Sequence, residues 1–206
     1  MPVIWEKRDE DCLIKVWQSN EGIRELLQKA SLTPTEYREW SAFRSESRQR
    51  EWLTVRALIR EALPGAGEIA YDEHGKPQLP DRPISISHSH DYIALMSAPQ
   101  RRVGVDIEII HPRIEKLAGK FLSEQERKSF HPLSLESLHV MWSAKEVLYK
   151  IHGSGGLEFK KHLSVHPFEL QQAGSLRASI AKDELKRDYD ISYNITKQFI
   201  LAWGVE

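Results

Sequence analysis

The sequence predicts an α+β fold made of two successive halves. Two observations support this prediction. Helical and strand-like patterns of apolar residues follow one another twice along the chain. A weak internal repeat also aligns residues 52–60 (Trp-x5-Leu-x-Arg) with residues 142–150 (Trp-x5-Leu-x-Lys), and glycine-rich turns and strand patterns follow both segments. We therefore predict an N-terminal α+β half at residues 1–100 and a C-terminal α+β half at residues 101–206.

The first half opens with short strands and continues with helices. Residues 3–5 and 13–17 are apolar enough for two strands, and residues 21–30 have their apolar side chains at helical spacing. Thr33, followed by Pro34 and then Glu36, is typical of the start of a second helix. Residues 52–63 carry a single apolar helical stripe, which ends at Pro64-Gly.

From residue 68 the apolar period changes to two. This alternation predicts strands over residues 84–87, 92–96 and 103–109, with a turn at His90-Asp91. After Pro112 the pattern is helical again, and its strongest helix covers residues 139–152. The tail predicts a closing hairpin from residues 190–195 and 199–203.

Composition excludes several classes of protein. The 206 residues include 29 Lys and Arg and 30 Asp and Glu, a net charge of -1, so the basic excess typical of nucleic-acid or membrane-surface binding is missing. The single cysteine, Cys12, cannot form an intrachain disulfide. No apolar run approaches the roughly 20 residues of a membrane span, and charges interrupt the N-terminal segment before any signal-peptide core. We expect a soluble, cytoplasmic protein that binds neither nucleic acid nor membrane.

Asp106 and Glu108 are the first candidates for chemistry. Residues two apart in a strand point to the same face, while Ile107 between them points to the core. Two adjacent carboxylates repel unless a cation lies between them, and all-oxygen ligation suits Mg²⁺. The alternative is an ordinary solvated strand face.

The predicted helix over 139–152 supplies a second candidate pair. Glu146 and Lys150 are four residues apart and therefore neighbours on a polar face that also carries Trp142 and Lys145. A carboxylate beside an ammonium group can act as a base–acid pair. The alternative is a common helix-surface ion pair worth about 0.3–0.5 kcal/mol.

A third candidate lies around Ser87 and His88. His88 and His90 have a spacing that suits zinc, but no third nitrogen or sulfur ligand accompanies them. Hydroxyls and imidazole at a strand end can instead hold a phosphate. A Ser87–His88 proton relay is disfavoured because adjacent strand residues point to opposite faces. Lys76 places a cation on a Gly-Lys-Pro turn, which can also be a plain exposed turn.

Together and in this order, five elements resemble the 4′-phosphopantetheinyl transferases, and most closely the larger, monomeric Sfp type that activates surfactin synthetase. They are Gly75-Lys-Pro, Ile84-Ser-Ile-Ser-His-Ser, Gly104-Val-Asp-Ile-Glu, Phe121-Leu-Ser-x-x-Glu126 and Trp142-Ser-Ala-Lys-Glu-x3-Lys150. The resemblance is specific over residues 75–156 and loose from about residue 48 to the end. It implies a pseudodimer of two similar α+β subdomains with the active site in the cleft between them.

The resemblance implies a role for each acid. Asp106 and Glu108 would bind Mg²⁺, and Glu146 would be a further metal ligand or the catalytic base. Lys150 would contact phosphate or assist proton transfer.

It also implies the residues that bind coenzyme A. Ser87 and His88 would contact its phosphates, and Lys76 would lie near the nucleotide. An upstream arginine would bind the 3′-phosphate, where Arg50 fits best and Arg48 or Arg56 are alternatives. The family often has Asn where this chain has Ser85.

The implied reaction moves the 4′-phosphopantetheine arm of coenzyme A to a serine hydroxyl of an acyl or peptidyl carrier protein and releases 3′,5′-ADP. Basic residues beside Phe121-Leu122 are a candidate docking surface for an acidic carrier: Lys116, Lys120, Arg127 and Lys128. Two alternatives remain, a Mg²⁺-dependent phosphohydrolase using the same acids and a non-catalytic module that binds coenzyme A.

Overall fold

A computed structural model of the chain describes residues 3–9, 12–130 and 132–206. In the described part, the elements follow one another as β1 (Val3–Arg8), β2 (Leu13–Gln18), α1 (Ile23–Ala30), α2 (Pro34–Ser41), α3 (Glu46–Ala62), β3 (Ala70–Tyr71), β4 (Pro77–Gln78), β5 (Ile84–Ser89), β6 (Tyr92–Ser97), β7 (Val103–Ile109), α4 (Arg113–Phe121), α5 (Glu124–Ser129), α6 (Leu135–His152), α7 (Phe159–His162), β8 (Leu163–Val165), β9 (Ala173–Lys182), β10 (Leu185–Ile195) and β11 (Phe199–Val205).

The strands form two main antiparallel sheets and one short ribbon. The first sheet has the order β1-β2-β6-β5, and the second has the order β7-β11-β10-β9-β8. Strands β3 and β4 pair with each other alone. The predicted α+β class is confirmed. The division of the chain at residue 100 and the pseudodimer symmetry of its halves stay predictions.

Each main sheet is covered by helices on one face. Helices α1 and α3 bury Leu26, Leu53 and Leu58 against the first sheet. Helix α6 buries Val147 and Leu148 against the second sheet. Burying apolar area stabilises the fold by about 25 cal/mol per Å², so these two clusters hold the long helices in place.

A third apolar cluster joins the opposite faces of the two sheets. Ile14 and Val16 of β2 lie in it with Val105 and Ile107 of β7 and Leu201 of β11. Because strand side chains alternate, the even-numbered residues of β7 then face α6 on the other side of the second sheet. This alternation sets the direction in which Asp106 and Glu108 point.

The predicted strands before residue 110 and the closing hairpin are confirmed, as is the capping box in which Thr33 and Glu36 start α2. Helices α3 and α6 begin earlier than their apolar stripes, at Glu46 and Leu135. Ser45 and Ser134 cap these helices with their side chains, and the first turn of α3 is polar and carries no apolar signal. Within the described ranges, no helix combines the length and the apolarity that a membrane crossing requires.

Candidate active site

The site is built where helix α6 lies directly on strand β7. A Cβ atom added at Gly104 would stand 2.4 Å from the Val147 carbonyl oxygen, closer than any side chain tolerates. Glycine at this position therefore lets the helix backbone approach the strand. The approach brings the polar side of α6 to the acids of β7.

Asp106 is the buried centre of this site. Its side chain accepts hydrogen bonds at Oδ1 from Ser87 Oγ and from Lys150 Nζ, both at 2.8 Å. Lys150 also donates to the Val105 carbonyl oxygen at 2.9 Å. The other oxygen, Asp106 Oδ2, is buried and has no hydrogen-bond partner among the described residues.

Glu108 has a donor on each oxygen. Trp142 Nε1 donates to Oε1 and Ser89 Oγ donates to Oε2, both at 3.1 Å. Burial and then the negative charge of Asp106 raise the pKa of Glu108, while the two hydrogen bonds lower it. The net effect is a raised pKa for Glu108. The ionised carboxylate is therefore electrostatically unfavourable at this position, although two hydrogen bonds fix its orientation.

Glu146 is the most perturbed acid of the site. Burial, and next the charge of Asp106, raise its pKa to about 7, although Lys150 acts in the opposite direction. Glu108 adds to the increase. The charges of both strand acids therefore act on the helix acid.

One detail differs from the sequence-based expectation. Lys150 was expected to pair with Glu146, its neighbour one helical turn away, but its ammonium group instead bonds to Asp106. The ion pair therefore joins the helix to the strand.

The donor set suits a hard divalent cation. No group of three or more His, Cys, Asp or Glu side chains within the described residues is arranged as a ready metal site. Mg²⁺ does not require such a group, since it commonly binds one or two carboxylates and completes its shell with water and substrate phosphates. A cation would contact the buried Oδ2 of Asp106, which has no hydrogen-bond partner among the described residues, and would reduce the repulsion between the acids.

A cavity of about 220 Å³ opens beside these groups. Glu146, Tyr149 and Lys150 line one wall, and the Gly75-Lys76-Pro77 turn lines another. Lys76 is half-buried, and its Nζ lies so close to Gly153 that a Cβ there would come within 2.7 Å. Burial, followed by the charge of Arg102, lowers the pKa of Lys76.

Lys76 also faces a second cavity of about 630 Å³, which it shares with Arg82, Arg102 and His152. Positive side chains therefore stand on both sides of the Gly-Lys-Pro turn. An anionic ligand in either cavity would meet them.

The remaining predicted binding residues lie at the other end of β5. His88 is exposed, and its Nε2 is 3.3 Å from Glu51 Oε1, which also pairs with Arg48. Arg50 is half-buried and donates to the Glu21 carbonyl oxygen. These side chains are near the surface of α3, outside the cluster of acids.

Arg56 was the third arginine considered for the 3′-phosphate. Its side chain is only 2% exposed, lies 3.3 Å from the centre of the Trp52 ring and is nearest to Glu36 among acids. A guanidinium group in this position is part of the core between α2 and α3.

Lys145 was predicted on the polar surface of the helix, and this prediction is wrong. Its side chain is fully buried and donates to Glu126 and to the carbonyl oxygens of Phe121 and Phe159. Burial lowers its pKa, and Glu126 opposes that change. All three N–H donors of this ammonium group have acceptors inside the protein. Because those acceptors come from distant segments, the sequence around Lys145 looks the same as that around a surface lysine.

Ser89 and Trp142 were missed as contributors to the site. Neither residue type is usually a metal ligand or an acid, so their contact with Glu108 depends on how β5 and α6 are placed around β7. The motif resemblance marked both positions without giving this reason.

Comparison with known proteins agrees with the geometry. The sequence profile of the 4′-phosphopantetheinyl transferase superfamily matches residues 102–203, which include β7 and α6. The chain is 38% identical over 115 residues to the 4′-phosphopantetheinyl transferase AcpT of Escherichia coli K12, a match that covers 52% of this chain and 59% of that protein.

Two other relatives give similar coverage. AcpT of Salmonella typhi is 35% identical over 115 residues, covering 52% of this chain and 60% of the relative. The 4′-phosphopantetheinyl transferase HetI of a Nostoc species is 26% identical over 145 residues, covering 61% of each. The matched part thus spans about three fifths of these relatives. The profile includes the strand and the helix that form the acidic cluster, so residues 102–203 belong to the 4′-phosphopantetheinyl transferase superfamily.

Proposed function

We propose that this protein transfers the 4′-phosphopantetheine arm of coenzyme A to a serine hydroxyl of a carrier protein. The observation that carries the proposal is the convergence of Asp106, Glu108, Glu146 and Lys150 beside a cavity that Lys76 also lines. To bind the diphosphate of coenzyme A, a site needs charged groups that neutralise it and a cavity beside them that can hold it. The family supplies the class of reaction.

Glu146 is the proposed general base. With a pKa of about 7, a large part of the Glu146 population is a carboxylate at neutral pH, and its basicity is higher than that of an ordinary glutamate. The carrier serine loses its proton to Glu146 while its oxygen forms a bond to the β-phosphorus of coenzyme A. The bond from that phosphorus to the oxygen of 3′,5′-ADP breaks, and 3′,5′-ADP leaves.

The cationic side chains bind and orient. Lys150 Nζ lies 2.8 Å from Asp106 Oδ1, and the side chain lines the cavity. The ammonium group is therefore fixed close to the place where it would stabilise charge on a phosphate. Lys76 reaches the same cavity from the opposite wall. Placing the diphosphate between two fixed cations reduces the entropy lost on reaching the reactive geometry.

Asp106 Oδ2 and Glu108 would hold the Mg²⁺ ion, and Glu146 would be a further ligand only if it did not act as the base. Bound there, Mg²⁺ supplies neutralisation of the diphosphate charge. Ser87 donates its proton to Asp106, so we propose that it orients this acid in addition to any contact with coenzyme A.

For the 3′-phosphate we propose His88 together with Arg48. The two side chains are already linked through Glu51, whereas Arg50 is engaged with the segment before α1. Ser87 and Ser89 of the first sheet and the acids of the second sheet belong to one chain, which supports activity as a monomer.

The carrier would dock on the basic face of α4 and α5. This face is exposed at the four residues Lys116, Lys120, Arg127 and Lys128. Phe121 and Leu122 are fully buried, so the apolar part of the expected docking surface is wrong. Charge complementarity with an acidic carrier is the remaining support. Reversing the charges of Lys116, Lys120 and Lys128 should slow transfer without changing coenzyme A affinity, and unchanged carrier kinetics would contradict this surface.

The test of the function is direct. Incubation with coenzyme A, Mg²⁺ and an apo carrier protein should increase the carrier mass by one phosphopantetheine, as read by mass spectrometry. Glu146→Gln should lower the rate by several orders of magnitude, and the matched variant Glu184→Gln, at an exposed hairpin position, should not. Hydrolysis of coenzyme A without a carrier product would instead support the phosphohydrolase, and binding without turnover would support the non-catalytic module.

A further inference from the structure

A row of serines connects the two sheets at the site. Ser85, Ser87 and Ser89 alternate along β5 and point toward β7. Ser85 Oγ accepts from the Val105 N–H at 3.0 Å, and Ser87 donates to Asp106. Side-chain hydroxyls thus replace backbone pairing between the first sheet and the second.

Ser89 is different from Ser85 because it also reaches an acid. Its Oγ accepts from the Ile109 N–H at 3.2 Å and donates to Glu108 Oε2 at 3.1 Å. A serine hydroxyl has one proton, and accepting the backbone N–H leaves that proton to be directed at Glu108. The first sheet therefore fixes one oxygen of a carboxylate that belongs to the second.

Trp142 fixes the other oxygen from helix α6. Its indole N–H, which can only donate, lies 3.1 Å from Glu108 Oε1. The ring is stacked on Phe159 and meets Phe121 edge-on, with both ring centres 5.2 Å away. Packing on two sides leaves the direction of this donor little freedom.

The two strand acids are held to different degrees. Glu108 has one donor on each oxygen, Asp106 has both of its donors on Oδ1, and its Oδ2 has none among the described residues. Outer hydrogen-bond partners of this kind orient ligating carboxylates, and their removal typically costs 10–100-fold in metal affinity or activity.

We propose that Ser89 and Trp142 are positioning residues that hold the Glu108 carboxylate from opposite sides, so that it is oriented for a divalent cation only when both sheets and α6 are packed together. The proposal rests on the proposed function for the identity of the cation. In this proposal, Trp142 at the start of the helix motif and Ser89 at the end of the β5 motif act on Glu108 and do not contact the substrate.

Two single-group deletions test this arrangement. Trp142→Phe removes the N–H and keeps an aromatic ring, and Ser89→Ala removes the hydroxyl. Trp40→Phe is the matched control, because the Trp40 N–H is buried on α2 without a hydrogen-bond partner among the described residues. Ser89→Thr retains a hydroxyl and serves as the conservative variant.

The main readout is Mn²⁺ affinity, measured with the protein–coenzyme A complex by the electron paramagnetic resonance signal of free Mn²⁺. Trp142→Phe and Ser89→Ala should each weaken Mn²⁺ binding by about 10-fold or more. Ser89→Thr should restore most of the affinity, and Trp40→Phe should match the wild type. In transfer assays, the concentration of Mg²⁺ at half-maximal rate should rise while the KM for coenzyme A changes little.

The outcomes separate the two proposals. Wild-type Mn²⁺ affinity in both deletion variants, or equal weakening in Trp40→Phe, overturns the positioning role even if the protein transfers phosphopantetheine. Failure of the wild type to modify any carrier overturns the proposed function, while the Mn²⁺ measurements still decide the positioning role. A wild type that binds no Mn²⁺ overturns the positioning role as well.

Discussion

Replacing Glu146 with glutamine should make the metal-free protein more stable at pH 8 and leave its stability nearly unchanged at pH 4.5. In the folded protein the pKa of Glu146 is raised from 4.5 to about 7, mainly by burial and by the charge of Asp106. A raised pKa gives a contribution to stability that is fully present below the unfolded value, near 4.5, and is lost as the pH rises through about 7. Above that pH the ionised side chain opposes folding.

The size of the effect follows from the shift. One pKa unit corresponds to about 1.36 kcal/mol, so the wild type should lose about 3 kcal/mol from this group between pH 4.5 and pH 8. Glutamine does not ionise, and Glu146→Gln avoids this loss. The difference in free energy of unfolding between variant and wild type should therefore increase by up to about 3 kcal/mol over this range.

Urea denaturation followed by circular dichroism, with a chelator present, measures this difference at each pH. Titrating groups that do not interact with Glu146, such as His139 and His152, are common to both proteins and cancel in the comparison. Glu184→Gln, at an exposed hairpin position, is the control and should show no such trend. A pH-independent difference for Glu146→Gln would refute the burial and charge repulsion assigned to this acid.

Three further predictions concern the surroundings of the site. Gly104→Ala should destabilise the protein by about 1–3 kcal/mol in urea denaturation, since its Cβ would meet the Val147 carbonyl oxygen at 2.4 Å, and a neutral result would show that α6 can shift away. Lys145→Met should cost about 3–5 kcal/mol because it leaves Glu126 buried without its partner, and a loss below 1 kcal/mol would mean that the pair is solvated. His88→Ala should raise the KM for coenzyme A about 10-fold with little change in kcat, and an equal fall of kcat would place this side chain in the chemical step.

The chain pattern predicted the elements well where side-chain periodicity is strong. Apolar and polar residues alternate along β5 and β7, and the long helices carry continuous apolar stripes. Strands β8 and β9 were missed. Both lie in the outer part of the second sheet, and the ten residues of β9 include only two large apolar side chains, Leu176 and Ile180, so the apolar signal is weak.

The candidate site was predicted from spacing and from motif order. Asp106 and Glu108 share a face because strands alternate, and Glu146 and Lys150 are neighbours because helices turn every 3.6 residues. Local geometry of this kind is readable in a sequence. The partner of Lys150 depends on contacts between distant segments. The sequence predicted Glu146, and the structure has Asp106.

By itself, the sequence determined which residues could share a face of a strand or a turn of a helix, and the ordered motifs indicated a family. Only the tertiary structure decided that α6 lies against β7 at Gly104, that Lys145 is core, and that Ser89 and Trp142 reach Glu108. The physical reason is that periodicity encodes contacts a few residues apart. Contacts between distant segments depend on packing and on where buried polar groups find partners.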